Sequence, residues 1–173
     1  MKQIDFRNDI LPLKDVLYRL ALRITLDSAE AEDIVQETML KLWNRRDRWD
    51  EIDSIEAFAM TICRNLALDH QKRMDTQHAS LDDAGTLFSM PNAQTPTPFD
   101  HTVAQDRIQI VRQIIDTLPE KQRTVLQLRD IEGKSYKEIA DVLSISESDV
   151  KVTLFRARNE LKEKILQKKS LFL

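Results

Sequence analysis

The chain has 173 residues, 42% hydrophobic and 32% charged, which is enough for one medium domain or two small ones with a packed core. Two glycines and five prolines argue against hairpin-rich folds and glycine-rich phosphate loops, and the single cysteine, Cys63, excludes an internal disulfide. A net charge of −3 is unfavourable for DNA binding by bulk electrostatics alone, because phosphate neutralisation supplies most non-specific affinity.

The abundance of Leu, Ile, Ala, Glu, Lys, Arg and Gln predicts an all-α protein. With no N-terminal apolar run and no segment of transmembrane length, the expected location is the cytoplasm, without membrane insertion. From Ile4 to Ile24, Phe6, Ile10, Leu13, Val16, Leu17, Leu20 and Ile24 recur at helical spacing, with Pro12 as the one interruption. A second helix starts at Asp27, whose spacing to Glu30 forms a capping-box-like pair, and ends near Asn44. Its inward stripe reads Ile34, Val35, Met39, Leu42 and Trp43. The charged stretch 45–52 carries Trp49; Asp53 and Glu56 then repeat the capping pattern before a third helix that buries Phe58, Ile62 and Leu66.

Between Met74 and Asp106 the helical period stops, no Lys or Arg occurs, and three prolines and five acidic residues accumulate. This composition predicts a flexible acidic linker, too long for an ordinary loop, and places a domain boundary there. The resulting division is a first helical domain over 1–74, the linker over 75–105 and a second helical domain over 106–173. Helical signal resumes with Ile108, Val111, Ile114 and Ile115, continues after Leu118-Pro119 and stops at Gly133.

The segment SYKEIADVLSISESDVKVTLFRAR, residues 135–158, reads as a helix-turn-helix. Ser135 and Glu138 form a capping box, Ile139, Ala140 and Leu143 face inward, and Ser146 with Asp149 caps the following helix. On a wheel of about 100° per residue, Val150, Leu154, Ala157, Leu161 and Ile165 fall on one side, and Lys151, Val152, Phe155, Arg156 and Asn159 on the other. In a major groove, Val152 and Phe155 could meet thymine methyl groups while Lys151 and Arg156 reach guanine edges or phosphates. The bland alternative is that Phe155 packs on a neighbouring helix and the charges only solubilise. Charge is sorted along the chain in the same sense: residues 27–56 hold ten acidic and four basic side chains, whereas 148–169 hold three acidic and seven basic.

These residues carry a family resemblance. LPEKQRTVLQLRDIEGKSYKEIADVLSISESDVKVTLFRARNELK, residues 118–162, closely resembles the fourth region of sigma factors of the extracytoplasmic-function class. AEDIVQETMLKLW (31–43) and AFAMTICRNLALDHQKR (57–73) resemble that family's second region, in the same order. With the first helix and the linker, the resemblance covers almost the whole chain, which has no room for the third domain of larger sigma factors.

The resemblance implies a sigma factor that joins RNA polymerase core enzyme and directs promoter-specific initiation, of an inducible set of genes, with an anti-sigma factor as a further partner. In the family the second region binds the polymerase clamp and melts the upstream edge of the minus-ten element, while the fourth reads the minus-thirty-five element and rests on the flap. Likeness to the clamp-binding motif singles out Asp33, Gln36 and Glu37. Leu40, with Lys41 beside it, completes a polar face bearing one apolar residue, suited to docking on another helix or simply solvated.

Minus-ten contacts are expected from Arg64, Asn65, Asp69 and Lys72 on the third helix and from Arg46, Arg48 and Trp49 in the preceding loop. For Trp49 a buried anchor that holds the loop is the alternative, and it is slightly favoured over direct base contact. The minus-thirty-five set is Ser146, Lys151, Val152, Thr153, Phe155 and Arg156. Val152 and Thr153 stand where relatives often carry a serine and an arginine, which leaves the sequence preference open. The family threads the linker through the polymerase cleft, so an acidic linker could act as an RNA mimic or simply as a tether.

No catalytic residue, cofactor or metal site is expected. His70, His78 and His101 show no ligand spacing with Cys63 or with one another, and nucleophile-elbow, Walker and dinucleotide motifs are missing. The rival reading is a free-standing helix-turn-helix regulator that binds an operator as a dimer. It predicts autonomous specific DNA binding, whereas the sigma reading predicts weak binding alone.

Overall fold

A computed structural model describes residues 3–81 and 103–171, with side chains at 3–77 and 105–169. The described residues are helical with short connections, and they divide into two compact units, each treated separately. No helix among them is long and apolar enough to cross a membrane.

The N-terminal unit opens with a π-helical turn, Phe6–Ile10, and a 3-10 turn, Leu11–Leu13, before α1 begins at Lys14. Pro12 sits in the 3-10 turn, where its missing N–H costs no helical bond. Helices α1 (Lys14–Thr25), α2 (Ser28–Asn44) and α3 (Ile55–Leu81) pack pairwise against one another. Ile10, Leu17, Leu20 and Ile24 meet Ile34, Val35 and Leu42 in the core, together with Ala59, Met60, Cys63 and Ala67 of α3. The Cys63 thiol donates to the Leu17 carbonyl at 3.4 Å, and burial pushes its pKa up to about 12.

The α1–α2 corner is built from local chemistry. Leu26 takes a left-handed conformation (φ 59°) that stops α1, and Gln71 of α3 donates to the carbonyls of Ile24 and Thr25, satisfying acceptors the ending helix leaves open. Asp27 then caps α2, accepting from the N–H groups of Ala29 and Glu30. The expected reciprocal bond is replaced: the Asp27 N–H goes to Thr25 Oγ1, and Glu30 pairs with His70 Nδ1 at 3.2 Å. At α3 the cap is Ser54, whose hydroxyl accepts from Ala57 N–H, rather than the expected Asp53–Glu56 pair.

Helix α3 also outruns its expected end. Residues 75–81, read as linker, continue the helix, because they contain no glycine or proline and Thr76 bonds back to the Lys72 carbonyl. The rest of the expected linker as far as 102 lies outside the described residues, and helix resumes at Val103.

In the C-terminal unit, α4 (Val103–Asp116) and α5 (Glu120–Leu126) both pack on α7 (Glu147–Leu171). Helix α5 runs on through a π turn, Gln127–Ile131. Gly133 (φ 69°) makes the left-handed turn that separates this stretch from α6 (Tyr136–Leu143). The capping box is complete: Ser135 Oγ accepts from Glu138 N–H at 3.1 Å, and Glu138 Oε2 accepts from Ser135 N–H at 3.0 Å. Ser144 takes the left-handed turn before α7, and the Ser146 hydroxyl caps that helix through Asp149 N–H. Ile114, Ile115, Leu118, Val125, Leu126 and Leu128 form the core with Ile139, Val150, Leu154 and Ala157.

Candidate nucleic-acid interfaces

Helix α7 separates its faces as its spacing requires. Val150, Leu154 and Ala157 are buried, and Leu161 and Ile165 are partly so. On the opposite side Lys151, Val152, Phe155, Arg156 and Asn159 are exposed, Phe155 to 67% and Val152 to 47%. Phe155 therefore does not pack on a neighbouring helix. Thr153 is half-buried at the edge of this face, and exposed Ser146 stands at its start as the cap.

Two contacts brace the outer face. Arg158 grips Asp130 with both Nε (3.1 Å) and a terminal nitrogen, and this bond holds the guanidinium pKa above its ordinary value. The Lys151 ammonium lies 5.6 Å from the centre of the Tyr136 ring.

The N-terminal unit offers a concave counterpart. A groove of about 450 Å³ runs between the end of α2 and α3, lined by Lys41, Asn44 and Arg45 on one side and Phe58, Thr61, Ile62, Asn65, Leu66 and Asp69 on the other. Phe58, Ile62 and Leu66 were expected in the core; they are half-buried groove residues instead. The stripe turned to α1 and α2 is Ala59, Met60, Cys63 and Ala67, whose small members let helices approach closely. Arg45 lies 5.6 Å from the Phe58 ring centre, which gives the groove a cationic shoulder.

Asn65 and Asp69 are exposed in this groove, so the structure joins them to one site. Half-buried Arg64 and exposed Lys72 do not line it. Arg46 and Arg48 are exposed on a 3-10 turn, Arg46–Glu51, with Arg46 4.8 Å from the Trp43 ring centre and bonded to the Trp43 carbonyl.

Of the two readings of Trp49, the structure has the buried anchor. It is 7% exposed, its indole N–H donates to the Leu42 carbonyl at 2.9 Å, and its ring meets Trp43 edge-on, so it anchors the turn and presents no face to a base. Trp43, expected on the inward stripe, is 44% exposed and closes an aromatic trio with Phe6 and Trp49. Lys41, expected on the polymerase face, also lines the groove, as does Thr61 from the same side of α3 as Asn65, whereas Asn44 and Arg45 were missed as groove residues. The one available signal for Arg45 was its place at the end of α2.

On α2, Asp33, Gln36, Glu37 and Leu40 share one exposed face, with Leu40 62% exposed. In the C-terminal unit a groove of about 410 Å³ lies along α4, with Ile108 and Ile131 on its exposed rim. Among the described residues no group of three or more His, Cys, Asp or Glu side chains could hold a metal ion.

Two family models match the chain in order: sigma-70 region 2 over residues 10–76 and sigma-70 region 4 over residues 108–161. ECF RNA polymerase sigma factor SigL of Mycobacterium tuberculosis is 33% identical over 150 residues, covering 85% of this chain and 81% of SigL. RfaY of Xanthomonas campestris is 30% identical over 149 residues, covering 86% of this chain; the chain spans only 37% of that longer protein. Among solved structures, the sigma factor RpoE of Bartonella quintana, in complex with the anti-sigma factor NepR, superposes with a TM-score of 0.72 at 26% identity, over 92% of this chain and 95% of RpoE. Two regions matched in order, and relatives aligned across both, show that the chain belongs to the sigma-70 family, as an RNA polymerase sigma factor of the extracytoplasmic-function class.

Proposed function

We propose that the chain carries its promoter contacts on two differently shaped surfaces, with the outer face of α7 reading the minus-thirty-five element as duplex and the α2–α3 groove receiving a base from the opened minus-ten element. The proposed division follows the helices and trims the expected 75–105 linker at both ends: a minus-ten domain through the end of α3 at Leu81, a linker over 82–102 and a minus-thirty-five domain from Val103 onward. The observation that carries this reading is the α7 face: a merely solvated helix has no reason to stand Phe155 and Val152 in water beside Lys151 and Arg156. In a major groove, apolar side chains meet thymine methyls and cations meet guanine edges or phosphates.

In the minus-ten groove, Asn65 and Asp69 offer hydrogen-bonding groups for a base edge, Phe58 offers ring surface, and Lys41 and Arg45 offer charge for the backbone. Arg46 and Arg48 serve as backbone contacts at the neighbouring turn. Asp33, Gln36, Glu37 and Leu40 dock on the polymerase clamp, with Leu40 as the apolar centre of a polar patch. The groove along α4 is the seat for the polymerase flap. An anti-sigma factor is a further partner, by analogy with the solved RpoE–NepR complex. The protein acts in the cytoplasm with the polymerase and has no catalytic activity of its own.

Transcription reconstituted with purified core polymerase over a promoter library tests this reading and reveals the promoter. The expected result is selective initiation with core enzyme and weak duplex binding without it. Tight, specific binding of a duplex by the chain alone, with no polymerase association, would overturn it. Leu40→Ala should weaken core association by roughly tenfold or more if Leu40 is a docking centre.

A further inference from the structure

We infer that Tyr136 is a positioning residue for Lys151, holding that ammonium on the reading face of α7 through its aromatic ring. This rests on the proposal that the outer face of α7 reads the minus-thirty-five element.

Tyr136 is the first residue of α6, next to the Ser135 cap, and it is half-buried. Two cations from different elements converge on its ring. The Arg129 guanidinium lies 4.6 Å from the ring centre and the Lys151 ammonium 5.6 Å, both within the range over which a ring quadrupole attracts a cation. Arg129 is itself fixed, donating to the Lys134 carbonyl at 2.8 Å. Its neighbour Asp130 grips Arg158 of α7, so the π turn is tied to α7 on one side and to the ring on the other. The ring is thus held by a braced turn, and Lys151 reaches it across the helix-turn-helix.

Lysine is the outer-face cation that most needs such help, because its ammonium rides a flexible four-carbon stem with no planar fork to orient it. A ring contact narrows the positions it samples and lowers the ordering cost on meeting DNA. Phenylalanine preserves this service and an aliphatic residue does not, so the ring rather than the hydroxyl should matter.

The test uses the full chain with core polymerase on its selected promoter, comparing Tyr136→Phe, Tyr136→Leu, Lys151→Ala and the Tyr136→Leu/Lys151→Ala double variant. Tyr136→Phe should retain promoter-selective binding, whereas Tyr136→Leu should lose about threefold to fivefold, the scale of one exposed cation–ring contact. In the Lys151→Ala background, Tyr136→Leu should cost nothing further.

A ring current provides the readout that simple destabilisation would not mimic. In the folded wild type and Tyr136→Phe chains the Lys151 Hε protons should be shifted upfield. Their ordinary position in the folded wild type overturns the inference even if Tyr136→Leu fails to fold. An additive double variant, or Tyr136→Phe as weak as Tyr136→Leu, overturns the positioning role alone. An inert Lys151→Ala overturns both this role and the assignment of Lys151 to DNA.

Discussion

The two proposed DNA surfaces are built in opposite ways. The outer face of α7 is convex, with Phe155, Val152, Lys151 and Arg156 standing out of a helix whose other side is locked in the core. The α2–α3 groove is concave, with half-buried Phe58, Ile62 and Leu66 as its apolar surface and Asn65 and Asp69 exposed within it. A convex helix can enter intact duplex, whereas a recess fits a base only after strand opening has delivered one. Charge follows shape: the segment that includes α2 is strongly acidic and the one that includes α7 is basic, so duplex affinity of the free chain should reside in the C-terminal unit.

The largest effect that could break this comparison comes from Trp49→Ala. If Trp49 is the anchor its burial indicates, the N-terminal unit should lose about 3–5 kcal/mol, read as a fall in thermal midpoint before any DNA is present. A variant of unchanged stability that loses only minus-ten recognition would return Trp49 to the reading surface.

The matching test on α7 is Val152→Ala with Phe155→Ala. Each exposed side chain should cost roughly five- to tenfold in promoter binding in the holoenzyme, while stability stays within about 0.5 kcal/mol of wild type. Equal loss on promoter and random duplex would show that these residues carry no sequence information.

Smaller, and specific to the N-terminal core, is the alkaline behaviour of Cys63. Its folded pKa is raised from 9.0 to about 12, so the unfolded chain releases its proton first and stability falls as pH climbs through that window. Wild type should lose about 1 kcal/mol by pH 10 relative to Cys63→Ala, measured by denaturant titration of each at pH 8 and pH 10. Parallel losses in the two proteins would remove the thiol as the cause.

The finest distinction is in salt. Arg156→Ala should lower the salt slope of promoter binding by about one unit if Arg156 meets a phosphate, and should leave it unchanged while altering base preference if it meets a guanine edge.

How far the fold could be read from the residues depended on whether each feature was local. The Ser135–Glu138 box, the Ser146 cap and both faces of α7 follow from spacings of three and four, and the structure has them where expected. Glu30 escaped because its partner His70 is distant in sequence, and capping logic sees only neighbours. Helix α3 carries two adjacent apolar stripes, one of large residues (Phe58, Ile62, Leu66) and one of mostly small ones (Ala59, Cys63, Ala67). Hydrophobicity favoured the large stripe; close helix packing chose the small one and left the other to form the groove. The candidate site was accordingly legible on α7 and only partly so on α3, where Asn65 and Asp69 could be named but their neighbours could not.

The buried thiol between α1 and α3 has a practical corollary. A side chain this inaccessible reacts with alkylating reagents only when the N-terminal helices part, so the labelling rate of Cys63 counts openings of that unit without any engineered probe. Followed as polymerase is added, the same clock would report whether docking tightens the bundle or loosens it.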